Sequence, residues 1–229
     1  MFAKEKGLFC MIFAIIIFVG FVSAVDLNGC TTITESGEYY LQRNIIDSSG
    51  DICFNIQADD VTLDLNGYVV DGDEESISGV YSNSNVNNIV IKNGLISGWS
   101  SGVWFSGGEN ITLENLQVLF NRYKGIELEN ILGSTIQNNF IKDNPNVGIE
   151  LDSCEDSLIY NNEIKNINRG EGSIELYNSK RIEIRENNLN NNDGGISIEQ
   201  GSNIKILNNV FQISFQSMQH SYRQRWSLK

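Results

Sequence analysis

The sequence predicts an all-β chain, a solenoid of parallel strands with roughly seven stacked coils of about 22 to 26 residues and three short strands per coil. Three observations carry this prediction. A short strand motif returns at a nearly constant interval, two further apolar positions keep step with it, and an asparagine pair sits between those two.

The motif reads Gly79-Val80-Tyr81, Gly102-Val103-Trp104-Phe105, Gly125-Ile126-Glu127-Leu128, Gly148-Ile149-Glu150-Leu151, Ser173-Ile174-Glu175-Leu176 and Gly195-Ile196-Ser197-Ile198. Its anchors at 80, 103, 126, 149, 174 and 196 are separated by 23, 23, 23, 25 and 22 residues. A second series ends at Ile91, Leu113, Ile136, Ile159, Ile184 and Ile206, and five residues past each comes Ile96, Val118, Ile141, Ile164, Leu189 or Phe211. These runs alternate apolar and polar residues with the period of half-buried strands and are too short for amphipathic helices. Strands without helices can bury such faces only by stacking on like neighbours. A leucine-rich repeat would need a leucine and asparagine consensus that is missing, and a propeller would need blades of about 40 residues.

The pair between the second and third strands reads Asn93-Gly94, Asn115-Leu116, Asn138-Asn139, Asn161-Asn162, Glu186-Asn187 and Asn208-Asn209. Asparagine and glycine tolerate the left-handed conformation that a sharp bend requires, and stacked asparagines pass amide hydrogen bonds from coil to coil. The pair is therefore read as a structural ladder. With one proline and 21 glycines in 229 residues, the chain has many tight turns and no linker that would mark a second domain.

Residues 1–24 read as a secretory leader: Lys4 and Lys6, an apolar run from Leu8 to Val22, then Val22-Ser23-Ala24, with cleavage expected after Ala24. The apolar run is short of the roughly 20 residues that span a bilayer, so no membrane span is expected after cleavage. A lipoprotein reading of Leu27-Asn28-Gly29-Cys30 is disfavoured by Asp26 and Asn28. Residues 25–57 form an N-terminal capping coil, 58–211 the repeats, and 212–229 an irregular tail or incomplete cap containing Arg223, Arg225 and Lys229. In an exported protein Cys30 and Cys53 are expected to form a disulfide, leaving Cys154 unpaired beside Glu155 and Asp156. Loss of the leader removes two lysines and one glutamate, taking the formal charge from −13 to −14. Such a surface excludes nucleic acid as a partner and suits cations or simple solubility. The oligomeric state is left open.

Asp60-Val61-Thr62-Leu63-Asp64-Leu65-Asn66-Gly67-Tyr68-Val69-Val70-Asp71-Gly72, followed by the Asn-Ile-x-Ile and Gly-Ile-x-Leu strands, resembles the pectate-lyase-like right-handed parallel β-helix superfamily, and among its varieties the NosD-type repeat proteins. The resemblance spans roughly residues 30 to 211 and implies a single-stranded, right-handed parallel β-helix. Activities in that superfamily include polysaccharide lyases, glycoside hydrolases and uronate epimerases, beside exported proteins without catalysis. The copper handling implied by the NosD name finds no support, because the sole histidine is His220 and the methionines are Met1, Met11 and Met218. The polygalacturonase-like branch pairs aspartates with a histidine motif, of which Asn192-Asp193-Gly194-Gly195 is a faint echo. The epimerase branch expects Asp-Pro-His, whereas the only proline is Pro145. A lyase, using Ca²⁺ and a basic residue such as Arg122, Lys124 or Arg169, stays open.

Within the Gly-Ile-x-Leu strand the two apolar residues face inward, so the residue between them points out. Coil by coil that position reads Tyr81, Trp104, Glu127, Glu150, Glu175 and Ser197, and the next outward position reads Asn83, Ser106, Glu129, Asp152, Tyr177 and Glu199. Coils lie about 4.8 Å apart, so Glu127, Glu150 and Glu175 form a column of like charges whose repulsion demands compensation. A Ca²⁺ held by Glu127, Glu150 and Asp152, a shared proton, or Arg122, Lys124 or Arg169 would supply it. No cofactor other than Ca²⁺ is suggested. Glu127, Glu150 and Glu175 are the candidate catalytic residues, and Tyr81, Trp104, Asp152, Tyr177 and Glu199 the candidate substrate-binding residues. Trp99, in a turn, is expected to cover the same face. The preferred function is an exported β-helix presenting this acidic and aromatic sheet to cell-surface or extracellular polysaccharide. A lyase or hydrolase acting there on an acidic glycan, and a structural envelope or adhesion repeat, are the alternatives.

Overall fold

A computed structural model of the protein describes residues 24–169 and 172–212. The expected leader, apart from Ala24, and the tail beyond Gln212 with His220 and Met218 lie outside the described residues. Every strand pairs in parallel with the equivalent strand one coil away, which gives three sheets. The first sheet runs from Thr31–Ile33 through Ile52–Ile56, Ser78–Ser82, the start of Ser101–Leu119, Lys124–Leu132, Val147–Asp152 and Ile174–Tyr177 to Ile196–Glu199. The second runs from Ala24–Leu27 to Lys205–Leu207, and the third from Ile45–Ser48 to Val210–Gln212. The stack reaches about eight turns, one more than the repeat spacing counts, because residues 24–56 already place strands in all three sheets.

Three short strands per coil describes most turns, but two elements run on. Val86–Ser97 spans two sheets and Ser101–Leu119 spans all three. Single residues at positive φ, Asn88, Asn93, Asn110 and Asn115, turn these corners without interrupting the ladder.

The core is a set of aligned apolar columns. Ile126, Ile149 and Ile174 are register partners, as are Leu128, Leu151 and Leu176, and all six are fully buried. Each such side chain contributes about 1.5 to 3 kcal/mol by leaving water. The stacking, rather than the coil itself, does the burying: Leu176, Ile184 and Leu189 are at most 2% exposed, whereas their partners Ile198, Ile206 and Phe211 in the last described turn are 41%, 44% and 50% exposed. The glycine that opens the motif has a steric cause. A Cβ on Gly102 would stand 2.6 Å from Val118 Cγ1, and one on Gly125 would stand 2.6 Å from the Gly148 carbonyl oxygen.

The asparagine pair divides its labour. Its first residue adopts the left-handed conformation, with φ between 51° and 59° at Asn93, Asn115, Asn138, Asn161, Glu186 and Asn208. Its second residue turns inward, and the Oδ1 atoms of Asn139, Asn162, Asn187 and Asn209 accept the backbone N–H of the equivalent residue one coil back, at 2.9 to 3.0 Å.

A second buried ladder was not read from the sequence. At the corner after the third sheet, Trp99, Asn121, Asn144, Ile167 and Asn192 occupy one column. The Trp99 N–H donates to Asn121 Oδ1, the Asn121 N–H to Asn144 Oδ1, and the Ile167 N–H to Asn192 Oδ1. Its signal was an asparagine three residues past Val118, Ile141 and Leu189, interrupted at Trp99 and Ile167. Trp99 therefore does not cover the first sheet. It fills a ladder position inside the core, fully buried, with its indole N–H donating to the Val70 carbonyl at 3.1 Å.

Cys30 and Cys53 form the expected disulfide, so the Cys30 sulfur is engaged and a lipid on it is excluded in this state. Cys154 is free and buried, and burial, with Asp152 and Glu129 nearby, pushes its thiol up to about 12. It is an inert core residue. No helix among the described residues is long and apolar enough to cross a membrane.

Candidate functional site

The outward face of the first sheet carries the predicted column in the predicted register. Tyr81 pairs with Trp104, Trp104 with Glu127, Glu127 with Glu150, Glu150 with Glu175, and Glu175 with Ser197. The second column likewise aligns Ser106, Glu129, Asp152, Tyr177 and Glu199. One residue missed from sequence extends the first column: Asn55, the register partner of Tyr81. It precedes the recognisable repeats, so no periodic signal marked it.

Lys124 resolves the repulsion between the carboxylates. It stands in the outward column before Glu127, in register with Ser101 and Val147. Its Nζ donates to Glu127 Oε1 at 2.7 Å and to Glu150 Oε1 at 2.8 Å. The second oxygen of Glu127 accepts the Ser101 hydroxyl at 3.0 Å. Glu175 lies apart from this bridge: only 4% exposed, it accepts the Gly172 N–H at 2.8 Å and the Tyr177 hydroxyl at 2.9 Å. Of the other cations considered, Arg122 lies over the Tyr123 ring, 5.0 Å from its centroid.

Burial raises the pKa of Glu150 above the usual carboxylate value, and the charges of Glu127 and Glu175 add to this against the pull of Lys124. For Lys124 burial works downward, but the hydrogen bonds to Glu127 and Glu150 outweigh it and its pKa is raised. The ammonium is thus held charged, and Glu150 holds a proton more tightly than an ordinary carboxyl.

This arrangement does not fit the Ca²⁺ site expected at Glu127, Glu150 and Asp152. The ammonium occupies the position between the first two carboxylates, and Asp152 accepts the Ser153 hydroxyl at 2.9 Å. Among the described residues no group of three or more His, Cys, Asp or Glu side chains is arranged to hold a metal.

The aromatic end of the column is built differently. Tyr81 and Trp104 meet edge to face, with ring centroids 5.1 Å apart and planes at 72°. Two polar atoms here have no protein partner, the buried Nε1 of the Trp104 indole itself and the buried Oδ1 of the adjoining Asn55. A buried donor and a buried acceptor without protein partners are costly features in a folded protein.

The family model described as "Right handed beta helix region" matches residues 78–221. The chain belongs to this right-handed β-helix family. Among solved structures it is similar to DFA-IIIase from Arthrobacter chlorophenolicus A6 in complex with GF2, with a TM-score of 0.62 and 15% identity over 77% of this chain and 48% of that one. It is also similar to the Dettilon tailspike protein, with a TM-score of 0.53 and 15% identity over 74% of this chain and 43% of that one. The β-helix therefore spans about half the length of the enzyme it matches, and at these identities the likeness shows the fold alone. Among curated proteins no sequence matches the chain.

Proposed function

We propose that this protein is an exported β-helix that holds polysaccharide on the outward face of its first sheet. The observation that carries the reading is the continuous column Asn55, Tyr81, Trp104, Glu127, Glu150, Glu175, in which two aromatic rings and two unpaired buried polar atoms adjoin a row of carboxylates. A sugar offers an apolar C–H face to an aromatic ring and hydroxyls to the polar rim. Its oxygens would accept from Trp104 Nε1, and its hydroxyls would donate to Asn55 Oδ1 and Glu127. The leader-like N-terminus and the Cys30–Cys53 disulfide support export to the cell surface or the extracellular space.

Glycan-array binding with and without Ca²⁺, on the native protein and on Trp104→Ala and Glu150→Ala, tests the reading. Binding should persist without Ca²⁺, since Lys124 already bridges Glu127 and Glu150, and Trp104→Ala should weaken it by roughly tenfold or more. Absence of binding in both conditions would sink the proposal, and unchanged binding in both variants would move the site elsewhere.

A second reading, a hydrolase or lyase on the same face, rests on Glu150. A carboxyl whose pKa is raised by burial beside two other carboxyls has the character of a general acid. Reducing-end or unsaturated products from a bound glycan, lost in Glu150→Gln while binding is kept, would establish it.

A further inference from the structure

The corner between the second and third sheets forms an open surface groove of about 400 Å³, within the range of small-ligand sites. Phe140, Glu163 and Asn188 line one side, as register partners on three successive turns of the third sheet. The left-handed residues Asn138, Asn161 and Glu186 line the other. These are the first members of the asparagine pairs, whose second members turn inward and build the ladder. The backbone of these residues turns the corner, while their side chains lie outside the inward ladder.

The chemistry of the lining is specific. Asn161 Nδ2 donates to Asn138 Oδ1 at 2.8 Å, which leaves the Asn138 amide N–H groups and the Asn161 carbonyl oxygen unpartnered. Asn188 Oδ1 is buried and has no hydrogen-bond partner. Glu163 is ion-paired to Lys165 at 2.5 Å, and the same ammonium stands 5.7 Å from the centroid of the Phe140 ring. The second carboxylate of the lining, Glu186, is likewise ion-paired, to Arg185 at 3.0 Å, so the groove does not require an added cation, and its surplus of acceptors disfavours an anion. What remains to be satisfied is one aromatic surface, several carbonyl and carboxylate oxygens and one amide donor. That set fits a neutral, hydroxyl-rich ligand with an apolar face.

From this we infer a second binding site, for a neutral saccharide, at the corner formed by Phe140, Glu163, Asn188, Asn138 and Asn161. The sugar packs its C–H face on Phe140, donates hydroxyls to Asn188 Oδ1 and Glu163, and accepts from the Asn138 amide. The site lies on a different face from the first-sheet column and does not depend on that column binding anything.

The test uses the full chain with Tyr81→Ala and Trp104→Ala, which silences the first-sheet face, titrated with cellohexaose, maltohexaose and mannohexaose. Calorimetry and backbone amide chemical shifts are read together. The inference expects saturable binding of at least one of these sugars, with shifts confined to residues 138–140, 161–163 and 186–188. Phe140→Ala in the same background should weaken that binding by roughly tenfold, and Asn188→Ala by several-fold. Both side chains point outward from the sheet, and retained circular dichroism would exclude unfolding as the cause. The shift map of the parent protein locates the site even if a variant does not fold. No saturable binding of any of the three sugars, or shifts that map elsewhere, would overturn the inference. Loss of first-sheet binding alone would leave these shifts in place, so the two sites fail separately.

Discussion

At the scale of single residues, this protein spends its buried polar groups in two ways. In the middle of the first ladder Asn139, Asn162 and Asn187 each use the side-chain carbonyl and both amide hydrogens. Asn162 accepts from the Asn139 backbone N–H and side-chain amide and donates to Asn187 Oδ1 and to the Ile136 carbonyl. Asn162→Ala should therefore cost roughly 2 to 4 kcal/mol in urea unfolding, since at least two buried backbone groups lose partners at about 1 to 3 kcal/mol each. On the first sheet the accounting is electrostatic. Because burial raises Glu150 above its ordinary 4.5, the folded state binds that proton more tightly than the unfolded one. Its contribution to stability is therefore greatest below pH 4.5 and declines as pH rises through the folded value. Glu150→Gln should remove this decline: relative to the native protein, the variant gains stability as unfolding is measured from pH 4.5 towards 7. A flat difference across that range would show that Lys124 fully offsets the burial of Glu150.

At the scale of the strand, one close approach sets the geometry of each coil. The glycine before the inward Ile or Val of the first sheet lets the third strand of the same turn pass beneath it. At Gly125 an added methyl would meet the Gly148 carbonyl of the next coil and Ile141 Cγ2. Backbone cannot give way as a flexible side chain does. Gly125→Ala is thus expected to destabilise by about 1 to 3 kcal/mol, read as a lowered urea midpoint with unchanged slope. The same column holds Ser173 in the coil lengthened to 25 residues, where the motif begins without glycine. The recurring glycine was visible in the sequence, but its cause was not, because the clash partners lie on the third strand of the same turn and on the next coil, both distant along the chain.

At the scale of the molecule, each turn contacts only its neighbours, so stability is a chain of local interfaces. The Cys30–Cys53 disulfide closes a separation of 23 residues and ties the first-sheet strands Thr31–Ile33 and Ile52–Ile56 together. Replacing both cysteines by serine should cost about 3 kcal/mol. The loss should appear as faster amide hydrogen exchange in residues 24–56, with protection of the central turns unchanged. Uniform loss of protection would instead mean that the solenoid unfolds as one unit.

The fold was legible because a solenoid writes itself repeatedly. Val80, Val103, Ile126, Ile149, Ile174 and Ile196 return at nearly equal intervals, and a period-two strand repeated on that interval has one way to bury its apolar face. Register followed, and with it the outward column from Tyr81 to Ser197, since a shift by one residue would expose the core. What the sequence by itself determined is therefore the architecture and which residues share a face. Tertiary structure decided what those residues do to one another. Three carboxylates in a column left open a metal ion, a shared proton or a neighbouring cation among Arg122, Lys124 and Arg169, until the structure showed Lys124 bridging two of them and Tyr177 holding the third. Trp99 read as a cover for that face until the structure placed it in an asparagine's position inside the core. Periodicity reports which side of a strand a residue occupies. The direction of a long side chain, and the partner it finds one coil away, depend on contacts between turns that no local pattern encodes.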